Sequence, residues 1–472
     1  MKKPNILYIF SDQHRKFDLG AYGHQSVLTP NLDELAKLGV RFNHCVSNSP
    51  VCVPARGTML TGLYPNKHGA LMNDMAINPQ CTSIANVLNS EGYRTGYMGK
   101  WHLNGVPRDQ AIPQEKRLGF QEWKVHNCNH KYLDCYYYDE ENEKHEVEGY
   151  EPVIFGELAE EFIKRNAKEE QPWALYLSFS TPHDPHQDIE KKYLEVYENK
   201  DIPLRKNTKD KILFKENKAL NLNEYFDTQE YRENTKGYYG HISAIDEQIG
   251  KLILSLKETD QYDNTIIIYT SDHGDMLGSQ GMLDKQVPFE EAIAIPLIIY
   301  WKNHTYAGVC DELIGLNDLP VTIAGLIGAK FPDTIDGVDL QALCLDPLAQ
   351  SYDSAYLCEY FPAHNWGDKG GTEWRAIRTK QYTYAVTANN MNWLLFDNIH
   401  DPYQTNNLAS DVKYKNIKAE LWKMLKKHID ENDALLEGIQ FIREYGNVNE
   451  FNRSQNYFNR KPIIETEKEG GN

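Results

Sequence analysis

Two uninterrupted apolar runs limit the fold of this chain more than any other feature of its sequence. The first covers residues 5–10 and the second covers residues 264–270. A strand with one solvated face alternates apolar and polar residues, whereas a strand that is covered on both faces is apolar throughout. Both runs are therefore predicted to be buried strands, and the first to lie at the centre of a parallel sheet.

Shorter periodic segments predict the remaining elements. Helices are expected at 29–36, 83–90, 158–168, 242–256, 319–327 and 411–436, and further strands at 40–45, 94–100, 172–180, 296–300, 374–386 and 392–397. Strands that alternate with helices are typical of an α/β domain. We expect a large α/β domain over residues 1–360, with a central, mostly parallel sheet flanked by helices. A smaller C-terminal α+β domain over residues 361–472 should hold a small antiparallel sheet and a covering helix.

The composition limits the partners and the location of the protein. The 472 residues are too many for one ordinary core, and 50 basic against 68 acidic residues give a net charge of −18. An acidic protein is a poor general binder of nucleic acid or anionic membrane, so we expect neither as a partner. No apolar stretch is long enough to cross a bilayer. The first apolar run is too short for a signal peptide, so the chain as written is expected to be cytoplasmic, or periplasmic or exported if it is a processed form.

Polar residues with metal-binding or proton-transferring side chains follow four of the predicted strands. Open α/β sheets bind ligands at the carboxyl ends of their strands. Each residue also has an ordinary interpretation, such as a helix cap, a surface charge or a loop histidine. The residues are Asp12 and Gln13, Lys100 and His102, His183, and Asp272 and His273.

The segment 49–62 places Cys52 two residues before Pro54 and four before Arg56. The proline fixes φ and lacks a donor, so this loop cannot be an inner strand. Residues 59–62 are predicted to form one helical turn that stops at a glycine. Arg56 could hold a positive charge near a negative ligand. A buried cysteine beside a turn is the alternative interpretation.

The run from Cys52 to Gly62, together with the four strand ends, resembles the type I sulfatase family of the alkaline phosphatase superfamily. This resemblance implies an alkaline-phosphatase-like core and a sulfuric ester hydrolase. In that family the cysteine is oxidised after translation to formylglycine, and the hydrate of the aldehyde is the nucleophile. Many members carry Ser where this chain has Ala55, which leaves open which formylglycine-generating maturation enzyme would act as its partner.

The resemblance also implies a role for each candidate residue. One divalent cation, Ca²⁺, would be held by a set of side chains at the strand ends and at the modified position. Those metal ligands are Asp12, Gln13, Cys52, Asp272 and His273. The remaining residues would contact the formylglycine or the sulfate, or transfer a proton. These catalytic candidates, which again include the nucleophile, are Cys52, Arg56, Lys100, His102, His183 and Lys285.

The pairing of Asp12-Gln13 with Asp272-His273 resembles bacterial carbohydrate sulfatases, so the substrate is predicted to be a sulfated carbohydrate, a glycosaminoglycan or another glycan. Trp366, Trp374 and Arg375 could line a sugar site, although a core tryptophan is an equal alternative. A phosphonate or phosphate diester hydrolase of the same superfamily is the second functional hypothesis. A catalytically silent sugar-binding protein is the third. The sequence makes no prediction of the oligomeric state.

Residues 105–150 show little periodicity and are interpreted as a structural or substrate-facing loop. A zinc site could be drawn from four of their side chains, but the spacing fits no strong template. Those side chains are His126, Cys128, His130 and Cys135. The polar tail from Tyr445 onward is expected to be loosely held.

Overall fold

A ten-stranded sheet forms the centre of the computed structural model, which describes residues 2–210, 213, 224–332, 334–362, 371–460 and 463–464. The strands lie side by side in the order β10-β2-β9-β8-β1-β7-β3-β4-β5-β6. In chain order they are β1 (Asn5–Asp12), β2 (Val40–Val46), β3 (Arg94–Lys100), β4 (Glu122–His126), β5 (Asp134–Tyr138), β6 (Lys144–Glu148), β7 (Trp173–Pro182), β8 (Thr265–Ser271), β9 (Leu297–Tyr300) and β10 (Gly308–Gly315).

The two long apolar runs form neighbouring strands in the middle of this sheet. β1 pairs in parallel with β7 on one side and with β8 on the other. Within the described part of the chain, antiparallel pairs in this sheet are made only by β9 and by the β4–β5–β6 edge. The prediction of a central, mostly parallel sheet is therefore confirmed.

Helices cover both faces of the sheet. Ile6, Tyr8 and Phe10 pack into the core on one face, whereas Leu7 and Ile9 pack into the core on the other. Both neighbouring layers are apolar, which is why β1 needs no polar side. The helices are α1 (Pro30–Leu38), α2 (Cys52–Thr61), α3 (Pro65–His68), α4 (Ile84–Ser90), α5 (Glu151–Asn166), α6 (Lys191–Glu195), α7 (Gln229–Glu258), α8 (Glu290–Ile293), α9 (Leu319–Leu326), α10 (Ala342–Leu345), α11 (Lys415–Asn432), α12 (Gly438–Tyr445) and α13 (Val448–Tyr457). Across the described part of the chain, none of them is long and apolar enough to span a membrane.

A second, antiparallel sheet follows the large one. Its strands are β11 (Ala355–Glu359), β12 (Trp374–Arg378), β13 (Tyr382–Thr387) and β14 (Asn390–Asp397), in that spatial order. Leu421 and Leu425 of α11 share a core with Ile377 and Leu395 of the sheet. The predicted small sheet with a covering helix is thus confirmed. The predicted division after residue 360 falls just behind β11.

Three segments differ from their predictions. Residues 105–150 contain β4, β5 and β6, which extend the main sheet instead of forming a loop. The last turn of α2 is predicted correctly, but the helix begins seven residues earlier, at Cys52, and ends at Thr61, where it is capped by Gly62, whose φ of 68° favours glycine. The tail expected to be loosely held includes α13, whose Phe451 is buried.

Candidate active site

The predicted site residues meet at the carboxyl edge of the central sheet. Asp12 ends β1, Lys100 ends β3 and Asp272 directly follows β8. Cys52 is the first residue of α2, which points its N-terminus at this edge. All four side chains are buried.

Four of the predicted site residues form a compact group that could hold a metal ion. The ligand atoms of Asp12, Cys52, Asp272 and His273 all lie within 4.8 Å of one another. Cys52 Sγ lies 3.2 Å from His273 Nε2 and 3.6 Å from Asp12 Oδ1. His273 Nδ1 lies 2.9 Å from the Gly274 carbonyl oxygen, which can only accept, so Nδ1 carries the proton. When the ring is neutral, the lone pair of Nε2 therefore faces the group, as a metal ligand requires.

The pKa values of the two carboxyl groups in this group shift in opposite directions. Burial and the Asp12 carboxylate raise the pKa of Asp272 above its usual value. Burial and Cys52 would raise the pKa of Asp12 as well, but Lys100 and Arg56 lower it below its usual value. Arg56 bridges the pair, since its Nη2 donates to Asp12 (2.9 Å) and its Nε to Asp272 (3.0 Å). Two buried carboxylates beside an imidazole fit a divalent cation, which would offset their repulsion.

The surroundings of Cys52 favour a negative charge at its side chain. Burial would raise the pKa of the thiol, but Lys285, Lys100 and His273 lower it well below its usual value. The N-terminal position in α2 acts in the same direction, because the helix dipole is positive there. An anion that enters at Cys52 therefore meets fixed positive groups.

Lys285 and His183 form an outer pair of basic groups. Lys285 Nζ lies 2.8 Å from His183 Nε2 and also contacts the Gln13 side-chain oxygen. On its other side, His183 Nδ1 lies 3.1 Å from Asp184 Oδ1. Burial and Lys285 lower the pKa of His183, but Asp184 and Cys52 raise it, and the net pKa is about 10. Lys285 can only donate, so His183 Nε2 accepts from it here, and a proton on His183 would be favoured by an anion that binds between the two groups.

His102 lies two residues beyond Lys100 and outside β3. β3 ends at Lys100, and His102 adopts a φ of 59°, so the two side chains are not placed by strand alternation. The ring is buried, with Nε2 3.7 Å from Asp74 Oδ1. Burial lowers its pKa, but Cys128, Asp74 and Cys52 raise it to about 10. His102 is thus brought beside Cys52 by a left-handed turn.

Gln13 lies in the site with its side chain directed away from the carboxylate pair. Its backbone N–H donates to Asp272 Oδ1 (3.0 Å), while its side chain contacts Lys285 and Asp275. The structure brings all the predicted site residues together, and the role assigned to each one stays a prediction.

Several residues that support the site were not found from the sequence. Ser178 in β7 accepts from Arg56 Nη1 (2.8 Å) and Asp74 contacts His102. Asp275, whose side chain contacts Gln13, lies three residues after Asp272 in the sequence. Cys128 was considered solely for a zinc site. Their partners come from distant parts of the chain, so no local pattern marks them.

The suggested zinc site and sugar site are not assembled. Cys128 Sγ approaches His130 Nε2 (3.5 Å), but Cys135 contacts the Tyr136 carbonyl instead, and the four residues are absent from the metal-compatible groups of the described chain. Trp374 is fully buried and donates its indole N–H to the Gln286 carbonyl. Arg375 is buried against Asp433. Trp374 and Arg375 are therefore core residues, and Trp366 lies outside the described residues.

At the carboxyl edge of this α/β sheet, a buried group of two carboxylates, an imidazole and a cysteine could hold a divalent metal, which is an arrangement compatible with a hydrolase. The chain belongs to the sulfatase family: residues 4–329 match the Sulfatase family model. Residues 278–431 also match the C-terminal region of N-sulphoglucosamine sulphohydrolase. The protein is therefore a sulfuric ester hydrolase, and the expected alkaline phosphatase superfamily fold is confirmed.

Known proteins resemble this chain over nearly its whole length. An ulvan-active sulfatase of Formosa agariphila is 36% identical over 452 residues, which cover 94% of this chain and 85% of the relative. An endo-4-O-sulfatase of Bacteroides thetaiotaomicron is 27% identical, with 91% and 92% covered. A crystal structure described as a sulfatase, yidJ, of Bacteroides fragilis superposes with a TM-score of 0.82 at 28% identity, covering 92% of this chain and 97% of that one.

Proposed function

We propose that this enzyme removes sulfate from a sulfated carbohydrate, with Cys52 converted to formylglycine and Ca²⁺ as the bound cation. The observation that supports this proposal most directly is the buried Asp12–Cys52–Asp272–His273 group, which is flanked by cationic side chains. The names of the relatives support the substrate class, since one acts on ulvan and another is an endo-4-O-sulfatase. Oxygen-rich ligand sets such as this pair of carboxylates suit calcium.

The modification and the metal supply the chemistry that unmodified side chains lack. As a hydrate, formylglycine supplies one hydroxyl to attack sulfur and a second whose deprotonation expels sulfate and restores the aldehyde. A divalent cation supplies Lewis-acid polarisation of a sulfate oxygen. Asp12, Asp272 and His273 would hold it, with Gln13 at the edge of the set. Because Cys52 is 1% exposed, a maturation enzyme would have to reach it before the chain folds.

The chain's own residues would bind the anion and move the proton. Lys100 and Lys285 place positive charge beside position 52, where the sulfate would bind, and would offset the negative charge of the sulfate group as its S–O bond breaks. Arg56 bridges the two carboxylates and fixes their orientation. His183 has a pKa of about 10 and is protonated near neutral pH, so it can donate a proton to the leaving alcohol.

Sulfate release from defined sulfated mono- and disaccharides tests this function, with phosphodiesters and phosphonate monoesters assayed in parallel. The wild type should hydrolyse at least one sulfated sugar much faster than any phosphorus ester. The Cys52→Ala variant should hydrolyse none. Faster turnover of a phosphodiester would support the diester hydrolase hypothesis instead. Binding of sulfated sugars without any turnover would support the silent sugar-binding protein.

A further inference from the structure

A cavity of about 910 Å³ opens beside the candidate active site. Its more buried wall carries Arg108, Cys128, His130 and Tyr136, and its mouth is formed by exposed residues of the β5–β6 region. A volume of this size holds a ligand of one or two sugar rings.

The inner wall of the cavity touches the predicted catalytic residues. The His130 ring centroid lies 4.7 Å from that of His183. Cys128 lies close enough to His102 to raise the pKa of its imidazole ring. A substrate whose sulfate sits between Cys52 and Lys285 would therefore extend its sugar into this cavity.

Arg108 is held rigidly on the cavity wall. Its Nε donates to Asp74 Oδ1 (2.7 Å) and its Nη2 donates to Asp74 Oδ2 (2.9 Å). Phe458 lies against the other side, with its ring centroid 5.0 Å from the guanidinium carbon. Asp74 is fully buried, whereas the Arg108 side chain is 27% exposed. The guanidinium is thus fixed in place by a residue that lies behind it.

The remaining donors of Arg108 are available to a ligand. Within the described part of the chain, the hydrogen bonds of this guanidinium run from Nε and Nη2 to Asp74, and Nη1 makes none. A guanidinium that is anchored on one edge presents its other edge as a planar pair of donors, which matches a carboxylate or a sulfate.

The charge of the cavity changes from its wall to its mouth. Arg108 is the partly buried cation of the lining, whereas the exposed lining carries four acidic residues and two lysines, one of them paired with Glu146 at 2.8 Å. The four acidic residues are Asp109, Asp134, Glu146 and Glu148. A second anionic group is therefore favoured at the wall and disfavoured at the mouth, so a small acidic sugar fits better than a long polyanion.

We propose that Arg108 determines specificity by binding a second anionic group, a carboxylate or a further sulfate, on the sugar that carries the scissile sulfate. This inference rests on the proposed carbohydrate sulfatase function. The competing explanation is that Arg108 serves solely to neutralise Asp74, in which case its loss would affect all substrates alike.

Three matched sulfated monosaccharides test the proposal: one with no other charge, one with a carboxylate and one with a second sulfate. Steady-state kinetics would compare the wild type with Arg108→Gln and Arg108→Lys. Arg165→Gln is the control, because Arg165 is an exposed arginine of α5 that pairs with Glu122 of β4. The wild type should prefer one doubly anionic sugar by about tenfold or more in kcat/KM, since a charge-assisted hydrogen bond is at stake. The preferred sugar identifies the second group.

Arg108→Gln should abolish this preference mainly through KM, while Arg165→Gln should retain it. Arg108→Lys keeps a positive charge beside Asp74 but lacks the second donor edge, so it should keep the fold and lose most of the preference. A wild type without preference, or a preference that survives in Arg108→Gln and Arg108→Lys, overturns the proposal while leaving the sulfatase function intact. Absence of sulfate release from all three sugars by the wild type contradicts the proposed function and this inference with it.

Discussion

Lys100 Nζ lies 2.7 Å from Asp12 Oδ2, and both side chains are fully buried. This contact joins the carboxyl ends of β3 and β1, which are separated in the sheet by β7. Asp12 also accepts from Arg56, so the ammonium group is held in one position beside Cys52. A fixed charge at the point where negative charge develops is more effective than a mobile one.

Replacing Lys100 by alanine should therefore lower kcat strongly. The loss of one preorganised electrostatic contact typically costs about a hundredfold in rate. Lys302→Ala is the matched control, because Lys302 pairs with Asp263 on the exposed surface at 2.6 Å, and its rate should stay within a few-fold of wild type. Steady-state kinetics on folded protein decides the matter. A Lys100→Ala rate close to wild type would remove Lys100 from the mechanism.

The same contact illustrates what the sequence could predict. A strand that is covered on both faces is apolar throughout, so the apolar runs of β1 and β8 predict two buried strands. Ligands bind at the carboxyl ends of such strands, and this is where Asp12 and Asp272 lie. The resemblance of the Cys52 segment to the sulfatase signature then supplied the third point of the site. The strand ends located the two carboxylates, and the family resemblance predicted that they would meet Cys52.

Other features depend on partners that lie far away in the sequence. β6 (Lys144–Glu148) has exposed and half-buried residues in alternation and lies at the sheet edge, so it lacks the apolar signature of an inner strand. The burial of Arg375 depends on Asp433, 58 residues further along the chain. The left-handed turn at His102 and the Arg108–Asp74 pair likewise arise from packing between separate segments.

Asp12 and Asp272 should both be needed to retain the metal. Asp12→Asn and Asp272→Asn each remove a carboxylate charge from the group, so elemental analysis of the purified variants should show much less divalent metal per chain than in wild type. Asp139→Asn is the control, because Asp139 belongs to a separate, more exposed group with Glu143 and His145. Full activity after exhaustive chelation would contradict the metal requirement.

The charge on His183 should set an alkaline limit to activity. Burial and Lys285 lower its pKa, while Asp184 raises it, and the net pKa of about 10 keeps the ring protonated at neutral pH. A proton donor works below its pKa, so activity should fall as the pH rises through that value. The stabilisation of the folded state by this group is complete below the ordinary pKa of 6.5 and is lost as the pH rises through about 10.

Asp184→Asn should move this alkaline limb to lower pH, because it removes the charge that stabilises the imidazolium. The measurement is a pH profile of kcat/KM. Asp430→Asn, which alters an exposed carboxylate paired with Lys426 on α11, should leave the profile unchanged. A limb that stays in place in Asp184→Asn would mean that another group donates the proton.

Arg375 should matter for stability and not for sugar binding. Its guanidinium pairs with Asp433, donates to the Glu359 carbonyl at 3.0 Å and lies 4.1 Å from the Tyr360 ring centroid. Arg375→Met leaves a buried carboxylate without its partner, which typically costs about 3–5 kcal/mol of unfolding free energy. Urea unfolding measures this loss. Arg453→Met, at an exposed pair with Glu450, should change the stability by about 0.5 kcal/mol or less. Unchanged stability together with weaker sugar binding would restore Arg375 as a sugar-site residue.

The mass of the peptide that contains Cys52 tests the central claim most directly. Tryptic cleavage after Arg41 and Arg56 yields residues 42–56, which carry both Cys45 and Cys52. In active protein from a host that is competent for maturation, fragment ions should place the change from thiol to aldehyde at Cys52 and leave Cys45 as a thiol. Fully active protein in which Cys52 is entirely unmodified would contradict the formylglycine mechanism.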